Sequence, residues 1–220
     1  MGTNFVEWDA SSVAPHLDQT TLAPQLPFSV PGENLSLEIL APEDISEITA
    51  ACQDPEIQRF TSVPVPFGLE HGTHFVEKVT ADIWNHGGAS WAIRVQHDGK
   101  ACLAGILSFR ATLNRNTDVG YWVAPEWRGR GLMQEALSLG VQTVFDRLDC
   151  GCVVWTAQPD NLASIRVAWH VGFTFAGMVR GLGEQHGQRH DLLIGTLLPD
   201  DAMTERTPWE AVTELLTVTQ

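Results

Sequence analysis

Tyr121-Trp122-Val123-Ala124-Pro125-Glu126-Trp127-Arg128-Gly129-Arg130-Gly131-Leu132-Met133 decides how the chain reads. An extended apolar segment passes through a proline into a basic turn with paired glycines, and then into a long amphipathic helix. Gly129 and Gly131 let successive backbone N–H groups converge with no Cβ in the way. The free amides of a new helix N-terminus add about half a positive charge from the macrodipole. In that order the elements make an anion cradle that fits a pyrophosphate. A Gly-x-Gly turn alone is weak evidence, and the dinucleotide-binding fingerprint is not met. Gln134 stands where its third Gly or Ala is needed, and Ala124-Pro125-Glu126 replaces the tight strand-to-helix turn.

Outward from the turn, the hydrophobic period predicts the remaining elements. Leu35 to Leu40 alternates as a strand, and Pro42-Glu43-Asp44 opens a helix with Ile45, Ile48 and Cys52 buried and Pro55 near its end. Phe75, Val79 and Ile83 repeat at helical spacing up to Gly87-Gly88. Trp91, Ile93 and Val95 share one face of a strand, and an Asp98-Gly99 turn joins it to the apolar run Ala101 to Phe109. Val119, Tyr121 and Val123 form the next strand, and Met133, Leu137, Val141, Val144, Phe145 and Leu148 the buried face of the helix beyond the cradle. Cys152 to Thr156 is a short buried strand, and Asn161 caps a helix to His170 that Gly172 stops. Stretches around Phe173–Val179 and Leu192–Leu198 make a closing hairpin.

At 220 residues the chain suits one domain with extensions. Residues 1–34 read as an N-terminal extension with little secondary structure, 35–198 as the domain, and 199–220 as an acidic, polar tail with one short helix near Trp209. No apolar run is long enough to span a bilayer and no basic-then-apolar leader opens the chain, so the expectation is a soluble, cytoplasmic protein without a membrane partner. Thirteen Lys and Arg against 27 Asp and Glu give a formal charge of −14. That disfavours nucleic acid and suits an amine-bearing partner. Cys52, Cys102, Cys150 and Cys152 do not make a disulfide framework, Cys150-Gly151-Cys152 lacks a second ligand pair for zinc, and the histidines show no ligand spacing. No metal is expected.

The cradle, followed by Asn161-Leu162-Ala163-Ser164 and Gly172-Phe173, resembles the GNAT superfamily of acyl-CoA-dependent N-acyltransferases, and within it the RimJ/RimL ribosomal-protein acetyltransferase branch. The order β-α-α-β-β-β-α-β-α-β-β, over roughly Leu35 to Leu198, is the order of that fold. The family pattern at the turn is Gln or Arg, two residues, Gly, one residue, then Gly or Ala. Arg128, Gly131 and Met133 occupy those places; Met departs from the superfamily pattern but is similar to the RimJ/RimL branch. The resemblance implies an α/β (α+β) fold, its central mixed, mostly antiparallel sheet splayed between strands four and five and flanked by helices. It also implies acetyl-CoA as co-substrate. Trp122 and Val123 match the positions along the pantetheine arm, and the amides from Gly129 through Arg130, Gly131 and Leu132 to Met133 match those at the phosphates. Arg128 and Arg130 either pair with phosphate or stay solvated, and Trp127 packs.

The implied reaction is attack of a neutral amine on a thioester, collapse of an oxyanion and departure of a thiolate. Asp118 stands where many members place a strand carboxylate, as base or as an ordinary solvent-facing acid. A helix tyrosine that donates to sulfur in many members is Ala168 here, and Tyr121 is the single tyrosine of the chain. Ser164 matches the serine of the RimJ/RimL Asn-x-x-Ser motif and is the expected donor. Asn161 is a helix cap, a ligand of the pantetheine amide, or both. Three activities stay open: acetyl transfer to a primary amine such as a protein N-terminus, transfer of another acyl group or to a small amine or antibiotic, and CoA binding without turnover. Monomer and homodimer are equally compatible.

Overall fold

Alternating apolar positions build the sheet. Trp91, Ile93 and Val95 of β3 (Ala89–His97) and Leu107 and Phe109 of β4 (Lys100–Ala111) are buried in one cluster, while Ala92 and Ile106, at alternate positions of the same strands, are buried in another. The computed structural model describes residues 26–217. With β1 (Val30–Pro31), β2 (Leu35–Ile39), β5 (Asn116–Val123), β6 (Cys152–Ala157), β7 (Thr174–Gln185) and β8 (Gln188–Leu197), the sheet has eight strands in the order β1-β2-β3-β4-β5-β6-β8-β7. Only β5 and β6 run parallel. With the short β1 left out, since the sequence reading starts at Leu35, these are its fourth and fifth strands.

Helices cover both faces. Leu137, Val141 and Val144 of α5 (Leu132–Arg147) and Ile165 and Ala168 of α6 (Leu162–Val171) pack with Trp91, Leu107, Phe109 and Trp155. On the opposite face, Ile48 of α1 (Ile45–Ala51) and Ile57 of α2 (Pro55–Phe60) pack with Phe67, Ala92, Leu103 and Ile106. Leu107, Phe109 and Leu137 are wholly buried, and each such side chain contributes about 1.5–3 kcal/mol of transfer free energy.

The helical region differs from its sequence reading in two places. The first helix is two: α1 ends at Ala51, and α2 starts anew at Pro55 because the Asp54 carboxylate accepts from the Glu56 and Ile57 amides. The second helix runs through α3 (Leu69–His74) and α4 (Thr80–Asn85) with a π-helical turn at Phe75–Val79 between them. That turn inserts one residue and rotates the buried face. Val76, Thr80, Ile83 and Trp84 are therefore buried, while Phe75 and Val79 line a cleft.

Residues 1–25, most of the segment read as an extension, lie outside the described residues. The part that follows is built into the fold: β1 pairs with β2, the Trp91 indole donates to the Phe28 carbonyl at 2.7 Å, and Arg147 lies 3.5 Å over the Phe28 ring. Beyond β8, Trp169 donates to the Thr207 carbonyl at 2.6 Å, and α7 (Trp209–Thr217) buries Val212 in the main core. The closing hairpin is longer than its apolar stretches suggested, with strands running to a two-residue turn at His186-Gly187, both left-handed.

Candidate active site

The site begins where β5 and β6 part. Their parallel pairing runs from Asn116 opposite Cys152 to Val119 opposite Trp155 and stops. Beyond that point β5 keeps only β4, and β6 keeps only β8. The Ala124 amide donates to Ala104 at 2.9 Å and Trp122 lies opposite Ile106, so antiparallel alternation turns the N–H and C=O groups of Tyr121 and Val123 to the gap. Trp122 spends its backbone on β4 and offers the cleft its indole.

At the end of β5 a 3-10 turn at Pro125–Trp127 leads to Arg128 and the paired glycines. Gly129 and Gly131 both have φ of 74°, a left-handed conformation that strains any L side chain. A Cβ built on either meets nothing within 4 Å, so backbone conformation rather than crowding requires glycine, and the space above is open. Helix α5 follows with no side-chain cap, leaving its first amides directed outward at the positive end of a 16-residue dipole. These features fit a diphosphate.

Arg128 is engaged within the protein. Its guanidinium contacts both oxygens of Asp54, the shorter contact being 2.5 Å, and its Nε donates to the Val123 carbonyl at 3.2 Å. Burial alone would raise the Asp54 carboxyl, but hydrogen bonds from Arg128 and from the Ile57 and Glu56 amides outweigh it and hold Asp54 below the usual carboxylate range. The pair thus ties α2 to the glycine turn. Arg130 donates to the Glu126 carbonyl at 2.9 Å and lies 4.7 Å from the Trp127 ring centroid, and Trp127 packs edge-on against His97.

A cleft of about 860 Å³ runs from the glycine turn past the fork to α2 and α3. Asp118, Trp122, Val123, Arg128 to Met133, Asn161 and Ser164 all line it. Asp118 is solvent-exposed at the cleft wall, and the partial desolvation it meets there raises its carboxyl, with Arg110, opposite it on β4, offsetting this only in part. The Asn161 carboxamide oxygen accepts from the Ser164 amide at 3.2 Å, which caps α6 and sets Ser164 in its first turn. Ser164 Oγ lies 3.0 Å from Tyr121 Oη, and the Trp155 indole N–H points at both oxygens, at 3.0 Å and 3.1 Å. Burial pushes the Tyr121 phenol up to about 12.

Tyr121, Trp155, His71 and His74 also line the cleft, and sequence reasoning gave them no primary role. Strand alternation puts Tyr121 and Val119 on one face, but nothing local says that α6 covers that face. A further tie joins the two halves of the sheet. Gln185 at the β7–β8 tip donates to the carbonyls of Gln58 (3.0 Å) and Thr61 and accepts from Gln158 at 2.8 Å. Arg59 meets Asp160 alongside at 2.5 Å. Among the described residues no cluster of His, Cys, Asp or Glu could hold a metal ion, and no helix is long and apolar enough to cross a membrane.

The splayed sheet, the uncapped helix behind a left-handed glycine pair and the cleft that joins them define an acyltransferase class. A profile of the acetyltransferase (GNAT) domain matches residues 34–174, and the chain belongs to this family. It is 31% identical over 104 residues to YdaF of Bacillus subtilis (strain 168), provisionally named a ribosomal N-acetyltransferase, a match that covers 46% of this chain and only 56% of YdaF. It is 27% identical over 171 residues to YoaA, an uncharacterized N-acetyltransferase of the same organism, covering 76% of this chain and 94% of that protein. Among solved structures it is similar to Mycobacterium smegmatis RimJ in complex with CoA-disulfide, with a TM-score of 0.72, 20% identity, and 81% and 91% of the two chains covered. RimL, a ribosomal L7/L12 α-N-protein acetyltransferase in complex with coenzyme A, superposes with a TM-score of 0.70 at 22% identity, over 79% of this chain and 99% of that one.

Proposed function

We propose that this protein transfers an acetyl group from acetyl-CoA directly to a primary amine, with a protein N-terminal α-amine as the acceptor. One observation carries the reading: an open diphosphate cradle, a strand edge without a neighbour, the Asp118 carboxylate and a serine hydroxyl share a single cleft. The relatives named for ribosomal and α-N-protein acetylation support the choice of acceptor. An α-amine also asks less of the base, since its ordinary pKa is about 8 against about 10.4 for lysine.

The amides from Gly129 to Met133 hold the phosphates, and the gap-facing groups of Tyr121 and the amide of Val123, whose carbonyl already accepts from Arg128, hold the extended arm like an added strand. Arg130 supplies cationic side-chain support, while Arg128 stiffens the turn through Asp54. Acetyl-CoA contributes the activated thioester. Asp118, its carboxyl raised by partial desolvation, takes the first proton from the ammonium directly or through water. Ser164 gives its hydroxyl proton to the sulfur as the C–S bond breaks, the nitrogen releases its second proton to water in the cleft, and that proton restores the serine hydroxyl.

Thiol release measured with acetyl-CoA tests this, using peptides with free and blocked N-termini beside a panel of small amines. Release with the free peptides, and an acetyl group located on the α-nitrogen by mass spectrometry, is the expected result. Turnover only with small amines would move the acceptor class, and CoA binding without any turnover would make the chain a binder.

A further inference from the structure

Ser164 does not stand alone at the fork. Trp155 is wholly buried, and its indole N–H, a donor only, is shared between Tyr121 Oη and Ser164 Oγ. Either hydroxyl can donate across the 3.0 Å contact, and Tyr121 Oη also reaches the Ser164 carbonyl at 3.3 Å; because the phenol is the stronger acid, the favoured arrangement has Tyr121 donating to Ser164 Oγ. Ser164 Oγ then accepts from two partners, and its own hydrogen finds no acceptor inside this triangle. The open side of Ser164 is the cleft. Resting on the assignment of Ser164 as the sulfur's proton donor, we propose that Tyr121 and Trp155 are positioning residues that aim the Ser164 proton at the departing sulfur, with Tyr121 replenishing it.

The protons balance without an alkoxide. As the C–S electron pair goes to sulfur, the Ser164 proton moves to sulfur and the Tyr121 proton moves onto Ser164 Oγ. Cleft water that has taken the second proton of the nitrogen returns one to the phenolate, while the first stays on Asp118 until release. Burial holds Tyr121 protonated through the neutral range, against the smaller opposing effect of its Ser164 and Trp155 contacts, so the relay is loaded at rest.

Tyr121→Phe removes one oxygen and keeps the ring. It should lower kcat about ten-fold or more while the acetyl-CoA dissociation constant stays within a few-fold. In a double-mutant cycle, Tyr121→Phe added to Ser164→Ala should cost nothing further, because a residue acting through Ser164 has nothing left to act on. Multiplying losses in the double variant would overturn the relay. A slow Ser164→Ala beside a fully active Tyr121→Phe would also reject it while leaving the serine in place, and a fully active Ser164→Ala would instead remove the serine itself. Should Tyr121→Phe fold poorly, the single tyrosine offers a second route, since growth on fluorotyrosine replaces residue 121 alone. The more acidic phenol should bring the basic limb of kcat down in pH, whereas an unmoved basic limb rejects the proposal.

Discussion

Helices α5 and α6 both begin beside the fork between β5 and β6, yet their first turns are finished differently. Asn161 closes the start of α6 by accepting from the Ser164 amide, whereas Gly131 begins α5 with no side chain over its amides. A closed first turn fixes the residues that follow it, here Ser164. An open one keeps donors for something from outside. Similar strand-to-helix passages are thus finished in opposite ways, one closed around a side chain and one with its amides left open, as the proposed diphosphate site requires.

Four substitutions break or sharpen that contrast. Gly131→Asp should abolish the openness of α5. The left-handed φ strains the new residue, its carboxylate stands over amides meant for an anion, and calorimetric affinity for CoA should fall about a thousand-fold or more. Wild-type affinity in that variant would sink the cradle.

Asp118, on β5 just ahead of the fork, should show the next largest effect, a fall in kcat/KM of about a hundred-fold or more in Asp118→Asn. Because partial desolvation raises its pKa, the acid limb of the wild-type pH profile should sit above the ordinary carboxylate range and be missing from the variant. Stability moves the other way. A carboxyl whose folded pKa exceeds its unfolded one favours folding only in acid, below the unfolded pKa, and loses that contribution as pH rises through the folded pKa. Asp118→Asn should therefore melt no lower than wild type at neutral pH, and a clearly lower melt would contradict the assignment.

Ser164→Ala tests what the closed helix start is for. A drop in turnover of about ten- to a thousand-fold, with the CoA dissociation constant within a few-fold, is the expected split. Equal losses in binding and turnover would instead mark Ser164 as a ligand contact. The smallest effect belongs to Asn161→Ala, which opens α6 as α5 is open. It should cost about 1 kcal/mol, or about 2–4 °C in Tm, and weaken CoA about three- to ten-fold because its amide N–H groups remain available to a ligand. Unchanged CoA affinity with the expected melt would leave Asn161 as a cap alone.

The sheet was legible because alternation at Trp91, Ile93 and Val95 is a local property, and the turn before α5 because Gly129 and Gly131 announce a backbone conformation directly. Asp54-Pro55 carried a helix-start signature that the apolar stripe of Ile45, Ile48 and Cys52 overshadowed. The π turn at Phe75–Val79 was illegible, since one inserted residue changes which side chains are buried without changing their identity. In the site, every residue singled out from the sequence lines the cleft. What stayed hidden was pairing at a distance. Arg128 meets Asp54 across 74 positions, and Tyr121 meets Ser164 across 43, contacts that only the folded sheet brings about.

The donors above Gly129 and Gly131 are peptide N–H groups, which no side-chain substitution can delete. What the lineage of this chain has to transmit at the cradle is therefore a path of the backbone rather than a set of functional groups. Neighbouring residues such as Arg130 and Leu132 can change their chemistry while the donors persist. Drift is barred chiefly at the two positions where φ lies at 74°, because there a new side chain alters the path itself.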